Sequence, residues 1–421
     1  MPLLAKVGGT LEIGGKLMFD MFKKRKKEII EDTPCRKSIC DVIAEVNSSA
    51  KSGEFYYGTD ACTGDPFVLN RKVHAPRRLL IGSPGSGKTW SMFSEVKQVS
   101  ENTSDDILMF YDWNDDNAPL SDIKKICIDS VYPGSNDRYY INPLDVVLTS
   151  YDLNEGIDCS YMLPQLCEVA VAFYESIKGV VTVPEIALLE RAVKIVFEPF
   201  VKDLIERKLT HDFENNPTFS DIIRAVKKDT LYPDAIKLFS DVVEIFEDRY
   251  PELISSKTNI ENEERLIICN KNGKIFEDIA MVSFLSFAFN RMVLNTEKHR
   301  STWVYIDEGH KFIRREYISE LFFSVMKRSR KFWGLFTVSF WDAEEGDPLF
   351  FKVLNLSDFV QCFTTCISDL FLIKDRLMLN EESIDWVYGA PYGQCLNIVC
   401  GNVSKVEYNN SILKLTHQNY K

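Results

Sequence analysis

No Cys-x-x-Cys pair occurs in this sequence, although it holds eleven cysteines. Their number is odd and they are scattered through segments that read as strands and helices. That pattern points to buried free thiols in a reducing compartment, not to a disulfide framework. Cys362 and Cys366 have no second pair or histidine nearby, which argues against a structural zinc. A secretory leader is also missing, because no charged segment followed by an apolar core opens the chain. The longest apolar stretch, Ile279 to Phe289, contains two serines and is too short to span a bilayer. Internal repeats and low-complexity tracts are absent. The expectation is a cytoplasmic chain that is soluble, or attached to a membrane only from outside.

What is present supports a packed core, since 45% of the 421 residues are hydrophobic. The length exceeds what one core usually organises, so two domains, or one domain with a large insertion, are expected. The net charge of -12 is unevenly placed: residues 1–30 carry seven Lys/Arg against three Asp/Glu. An acidic body argues against tight, sequence-blind binding to nucleic acid and leaves DNA binding uncertain. The run Lys23-Lys24-Arg25-Lys26-Lys27 follows Leu17-Met18-Phe19 and Met21-Phe22. A solvated basic tail is its simpler reading; peripheral contact with the cytoplasmic face of an acidic inner membrane is the other.

Four segments follow from periodicity. Residues 1–50 read as the basic tail and 51–152 as the first part of an α/β domain. Residues 153–262 read as a helical insertion, outside normal loop lengths for an α/β sheet, and 263–421 as the second part of the α/β domain. Strand candidates are Arg77 to Ile81, Asp106 to Asp112, Lys125 to Asp129, Arg265 to Cys269, Thr302 to Ile306, Leu335 to Phe340, Phe359 to Phe363 and Gln394 to Val399. Lys88 to Val99, Pro184 to Arg207, Pro217 to Lys228 and Pro233 to Tyr250 read as helices, two with proline in the first turn. Strands alternating with helices predict a mostly parallel sheet covered on both faces.

Gly82-Ser83-Pro84-Gly85-Ser86-Gly87-Lys88-Thr89 matches G-x-x-x-x-G-K-[ST], with an apolar strand before it and a helix after it; Trp90 closes the segment. Glycines let the backbone N–H groups wrap a phosphate, and the helix N-terminus adds a favourable dipole. Lys88 reaches the β/γ oxygens, and the Thr89 hydroxyl ligates magnesium. Trp303 to Ile306 is an apolar strand that ends in Asp307 and Glu308. The first carboxylate is expected to hold Mg2+ beside Thr89, and Glu308 to take a proton from the attacking water. A GTPase would need Asn-Lys-x-Asp, whereas Asn270-Lys271-Asn272-Gly273 puts glycine where the aspartate belongs. The cofactors expected are therefore ATP and Mg2+. The acidic cluster Asp112 to Asp116 reads as a solvated strand end, with Asp112 itself toward the nucleotide face.

The order of these segments resembles the traffic ATPases of conjugation and type IV secretion, the TraC-like and VirB-type family related to FtsK/HerA ATPases. The likeness spans roughly residues 50–411 and rests on several segments. Gly53 to Arg71 resembles the family's leading segment, and Asp112 with Asn142-Pro143-Leu144-Asp145 its strand-end aspartate and Asn-Pro turn. Pro217 to Asp221, Lys257-Thr258-Asn259 and Leu266 to Met292 resemble the helical insertion and its return to the sheet. Asp307 to His310 is similar to its Walker B segment, and Arg328 to Lys331 to its Arg-Lys element. The resemblance implies a RecA-like P-loop fold and an ATPase that powers substrate transfer or pilus assembly. It also implies a hexameric ring, channel subunits as partners, and an arginine, Arg330 or Arg328, acting on a neighbour's site. Family members carry a large N-terminal domain, which a separate chain would supply here. Many also place a glutamine after the strand that follows Walker B, where this sequence reads Thr337 to Asp342 without one; Ser339 is the weak substitute. A DNA translocase of the FtsK/HerA type and an ATP-binding assembly subunit with weak hydrolysis are the alternative functions.

Overall fold

The computed structural model describes residues 53–103, 105–112, 123–127, 139–155, 162–260, 265–269, 277–341 and 348–408. The basic tail, the segment 270–273 and the acidic residues 113–116 lie outside them. The described strands are β1 (Glu54–Asp60), β2 (Pro66–Asn70), β3 (Arg77–Ile81), β4 (Ile107–Asp112), β5 (Lys124–Cys127), β6 (Leu266–Cys269), β7 (Thr302–Ile306), β8 (Gly334–Phe340), β9 (Phe359–Phe363), β10 (Gln394–Val399) and β11 (Asn402–Glu407). They form one sheet in the order β2-β1-β11-β10-β9-β3-β8-β7-β4-β6-β5. From β9 to β5 every pairing is parallel, while β10, β11, β1 and β2 extend the sheet antiparallel. The strand carrying the glycine-rich loop, β3, is separated from β7 by β8, which is RecA-like strand order.

Alternation along the parallel strands sorts side chains onto two faces, as the two-residue period requires. Leu79, Ile81, Met109, Tyr111, Val304, Ile306, Val338 and Val360 enter one core; Leu80, Leu108, Phe110, Trp303, Tyr305 and Phe359 enter the other. Burial on both faces is why these strands read as largely apolar runs, broken by a few polar residues such as Arg78, Thr337 and Gln361 that pair inside the core. Helix α1 (Lys88–Asn102) covers the second face. Helices α2 (Leu163–Lys178), α3 (Val183–Arg207), α4 (Phe219–Lys227), α5 (Pro233–Arg249), α6 (Glu277–Glu297) and α7 (Glu316–Ser329) share the first core. The apolar stretch from Ile279 is thus part of a 21-residue helix that, by length and composition, is long enough to cross a membrane. Here 83% of its most apolar window is buried against the sheet and its neighbours.

Local sequence explains the helix starts. Pro184 and Pro233 sit in first turns, where a missing N–H costs nothing. Pro217 instead precedes the cap residue Thr218, whose N–H donates to Asp221 Oδ2 at 2.8 Å. The two ends of the helical segment are tied together near Asn142. Its N–H donates to Thr258 Oγ1 at 2.9 Å, its amide to Pro217 O at 2.9 Å, and Thr258 Oγ1 donates to Asp145 Oδ2 at 2.5 Å. Burial pushes the Asp145 carboxyl up to about 7, against the pull of Thr258, Asn142 and Lys257.

Under α1 lies a buried polar seam. Arg71 Nη1 donates to Glu95 Oε1 at 2.8 Å and to Thr337 Oγ1 at 2.7 Å, and Arg78 Nη1 donates to Glu95 Oε2 at 3.0 Å. Arg71 Nη2 also donates to the Pro76 and Phe336 carbonyls, and Arg78 Nε to Gln361 Oε1 at 2.9 Å. All three charged side chains are fully buried. Burial alone would raise the Glu95 carboxyl, but the two guanidinium groups overcome it and hold it at about 2. Glu95→Gln would leave two buried cations without a counter-charge, and is expected to cost about 3–5 kcal/mol in urea unfolding at pH 7. Because the folded-state value is depressed, this contribution is present above the ordinary value of 4.5 and lost as pH falls through about 2. The gap between parent and variant should therefore narrow below pH 4.5. A constant gap from pH 7 to 3 would show that charge is not what Glu95 contributes.

Candidate active site

Strand β3 is flanked by β8 and β9, so the loop leaving it emerges between their C-terminal ends. Gly82 N–H donates to Phe340 O at 3.3 Å on one side, and Ser83 N–H to Thr364 O at 2.9 Å on the other. A Cβ on Gly82 would stand 2.7 Å from Phe363 Cβ, so only glycine fits. Gly87 has φ 116°, a glycine conformation that turns the loop into α1. Lys88 folds back over the loop, and its Nζ donates to Gly82 O and to Ser83 O, the latter at 3.0 Å. Buried Ser86 Oγ has no hydrogen-bond partner among the described residues. A loop whose lysine is held by its own carbonyls, with an unpaired buried hydroxyl, suits a phosphate that supplies oxygens to both.

Thr89 Oγ1 donates to Asp307 Oδ2 at 3.0 Å, joining residues 218 positions apart. Oxygens about 3 Å apart match neighbouring ligands of a small octahedral cation such as Mg2+. The other Asp307 oxygen, Oδ1, accepts from the Glu308 N–H at 3.0 Å and from Ser339 Oγ. Ser339 Oγ in turn accepts from the Glu308 N–H at 3.1 Å. Ser339, read from the sequence as the weak substitute for glutamine, has its hydroxyl engaged with the acidic turn. Glu308 adopts left-handed angles, φ 55° and ψ 48°, which a non-glycine residue takes only under constraint. The constraint continues at Gly309, where a Cβ would lie 2.2 Å from Val338 Cγ1. Lys311 Nζ holds Glu308 Oε2 at 3.0 Å and Glu277 Oε1 at 3.2 Å.

Lys88, Thr89, Asp307 and Glu308 thus meet at the C-terminal edge of the parallel strands. Asp112 ends β4 at the same edge, one position past the Tyr111–Ile306 pair, and is buried. Trp90 packs edge-on against Phe93 at 5.9 Å. The arginines lie elsewhere. Arg330 is exposed just before β8, at the opposite edge of the sheet, and seven strand residues span about 23 Å. Arg328 is held inside the subunit by Glu168 at 2.8 Å and lies over the Phe289 ring. Two further residues contribute, His310 at the end of the Walker B-like segment and Thr364 outside any motif. Thr364, after β9, pins Ser83; and His310 meets Trp341 at an interplanar angle of 45° with ring centres 4.6 Å apart.

No protein-family model and no curated protein matches this sequence. Solved structures do match in shape. VirB4 of Thermoanaerobacter pseudethanolicus superposes with a TM-score of 0.66 at 17% identity, covering 87% of this chain and 99% of that one. The plasmid coupling protein TrwB, solved with the non-hydrolysable ATP analogue ADPNP, gives 0.51 at 12% identity over 87% and 92%. Its complex with the GTP analogue GDPNP gives 0.51 at 13% over the same shares. What this chain shares with VirB4 and TrwB is a fold, the RecA-like P-loop ATPase fold with an α/β, largely parallel sheet.

Proposed function

We propose that the chain is a Mg-ATP-hydrolysing subunit that powers substrate transfer or pilus assembly in a conjugative, type IV secretion-like system. The observation that carries this reading is the 3.0 Å contact between Thr89 and Asp307 inside the loop-and-strand frame that the chain shares with VirB4. Backbone N–H groups from Gly82 to Thr89 would bind the β-phosphate, and Lys88 the β/γ oxygens. Thr89 and Asp307 would hold Mg2+, which when bound neutralises charge that develops during phosphoryl transfer. Glu308 would accept the proton of the attacking water, placed for it by the left-handed turn and by Ser339. Purified protein should turn over ATP only with Mg2+, and should co-purify with channel subunits. Absence of any Mg2+-dependent nucleotide binding would overturn the reading.

The same reading includes a hexameric ring on the cytoplasmic side of the membrane, with residues 153–262 as an inserted helical domain. Arg330 is too far from its own site to serve it, and it is exposed, so a neighbouring subunit's site is the one it can reach. Glu308→Gln subunits, with Arg330 intact, mixed with Arg330→Ala subunits, with their own base intact, should regain ATPase activity that neither has alone. Full activity of Arg330→Ala by itself would remove the role in trans.

A further inference from the structure

His310 is the second residue after the proposed base, on the one-turn helix Gly309–Ile313. Its ring lies 4.6 Å from Trp341, the first residue past β8. Phe340 pairs with Ile81, so Trp341 is level with Gly82 at the mouth of the phosphate loop. The imidazole therefore lies on the side of the acidic turn that faces the end of β8, the strand between β3 and β7. Its Nδ1 is shut off from solvent and has no hydrogen-bond partner among the described residues. Buried polar atoms in folded proteins are nearly always paired, so an orphan beside a nucleotide site implies a partner that arrives with the ligand. Burial, aided by Arg314 and then by Lys311 and Lys88, holds the imidazole at about 4 against the opposing pull of Glu308. At neutral pH the ring is uncharged and carries one N–H. Its place in the chain, two residues past Glu308 on the helix that follows the acidic turn, sets it beside the proposed base.

Phosphoryl oxygens only accept hydrogen bonds, so a ring nitrogen that meets one must be the protonated one. We propose that neutral His310 donates its Nδ1–H to the terminal phosphoryl group of the bound nucleotide, so that the site distinguishes a triphosphate from a diphosphate. This rests on the nucleotide-binding reading above and adds the residue that senses the third phosphate. Ser339, the residue of β8 nearest the acidic turn, is engaged with Asp307 and Glu308.

The test measures Mg2+-dependent affinity for a non-hydrolysable ATP analogue and for ADP by calorimetry, in the parent, His310→Phe and His310→Asn. Phenylalanine keeps a ring against Trp341 without a donor; the asparagine amide nitrogen takes roughly the place of Nδ1. The triphosphate-to-diphosphate affinity ratio should fall about tenfold in the Phe variant, the scale of one charge-assisted hydrogen bond. It should stay within about threefold of the parent in the Asn variant. A parental ratio in the Phe variant overturns the proposal, and so does an equal loss in both variants, which would show that restoring a donor does not restore the discrimination. A parent that binds neither nucleotide would instead overturn the nucleotide-binding reading, and this inference with it.

Discussion

Lys88→Ala is expected to lose ATP binding, with affinity falling on the order of a hundredfold and turnover on the order of a thousandfold. Phosphoryl transfer depends on positioning and on charge placed before the reaction begins, and Lys88 is the cation that the loop itself supplies. Its Nζ rests on the Gly82 and Ser83 carbonyls, so it is already held inside the curve that a phosphate would fill. Removing it deletes the attraction for the β/γ oxygens and leaves those two carbonyls facing them. Titration with a fluorescent ATP analogue measures the change. An affinity within a few-fold of the parent would mean that the loop does not bind nucleotide.

Glu308→Gln should behave in the opposite way, keeping nucleotide binding while turnover falls about 10²–10⁴-fold. The amide has nearly the carboxylate's shape but cannot take up a proton. The backbone N–H bonds from residue 308 to Asp307 and Ser339 do not involve the side chain, so the magnesium-side geometry should be kept. The substitution also gives up the charge on the Lys311 partner, at 3.0 Å. Lys311 keeps Glu277, so the turn should stay in place. Single-turnover hydrolysis beside equilibrium binding separates the two effects. Turnover within about threefold of the parent would show that Glu308 is not the base.

Much of the frame is legible in the amino-acid sequence. Strands buried on both faces are mostly apolar, and for Arg77 to Ile81, Thr302 to Ile306 and Phe359 to Phe363 the predicted and observed limits agree. Strands β1, β2 and β11 are absent from the strands that periodicity predicts. They lie in the antiparallel part of the sheet and mix polar with apolar residues, so their pattern is weaker. A turn signal does mark one of their connections: Asp60 Oδ1 accepts the N–H groups of Cys62 and Thr63 and closes the β1–β2 hairpin.

The sequence by itself determined the chemistry-bearing segments and their order. A loop that wraps phosphate needs glycines at fixed spacing, and an acidic pair at a strand end needs an apolar run before it. Both are local requirements, and local requirements leave contiguous marks. The tertiary structure alone decided the partners of side chains far apart in the chain. Thr89 meets Asp307, Arg71 and Arg78 share Glu95, Ser339 turns inward to the acidic turn, and His310 comes to rest on Trp341. Those contacts depend on which strands lie side by side. That order is fixed by how the whole sheet buries its two faces, and no short stretch of residues carries it.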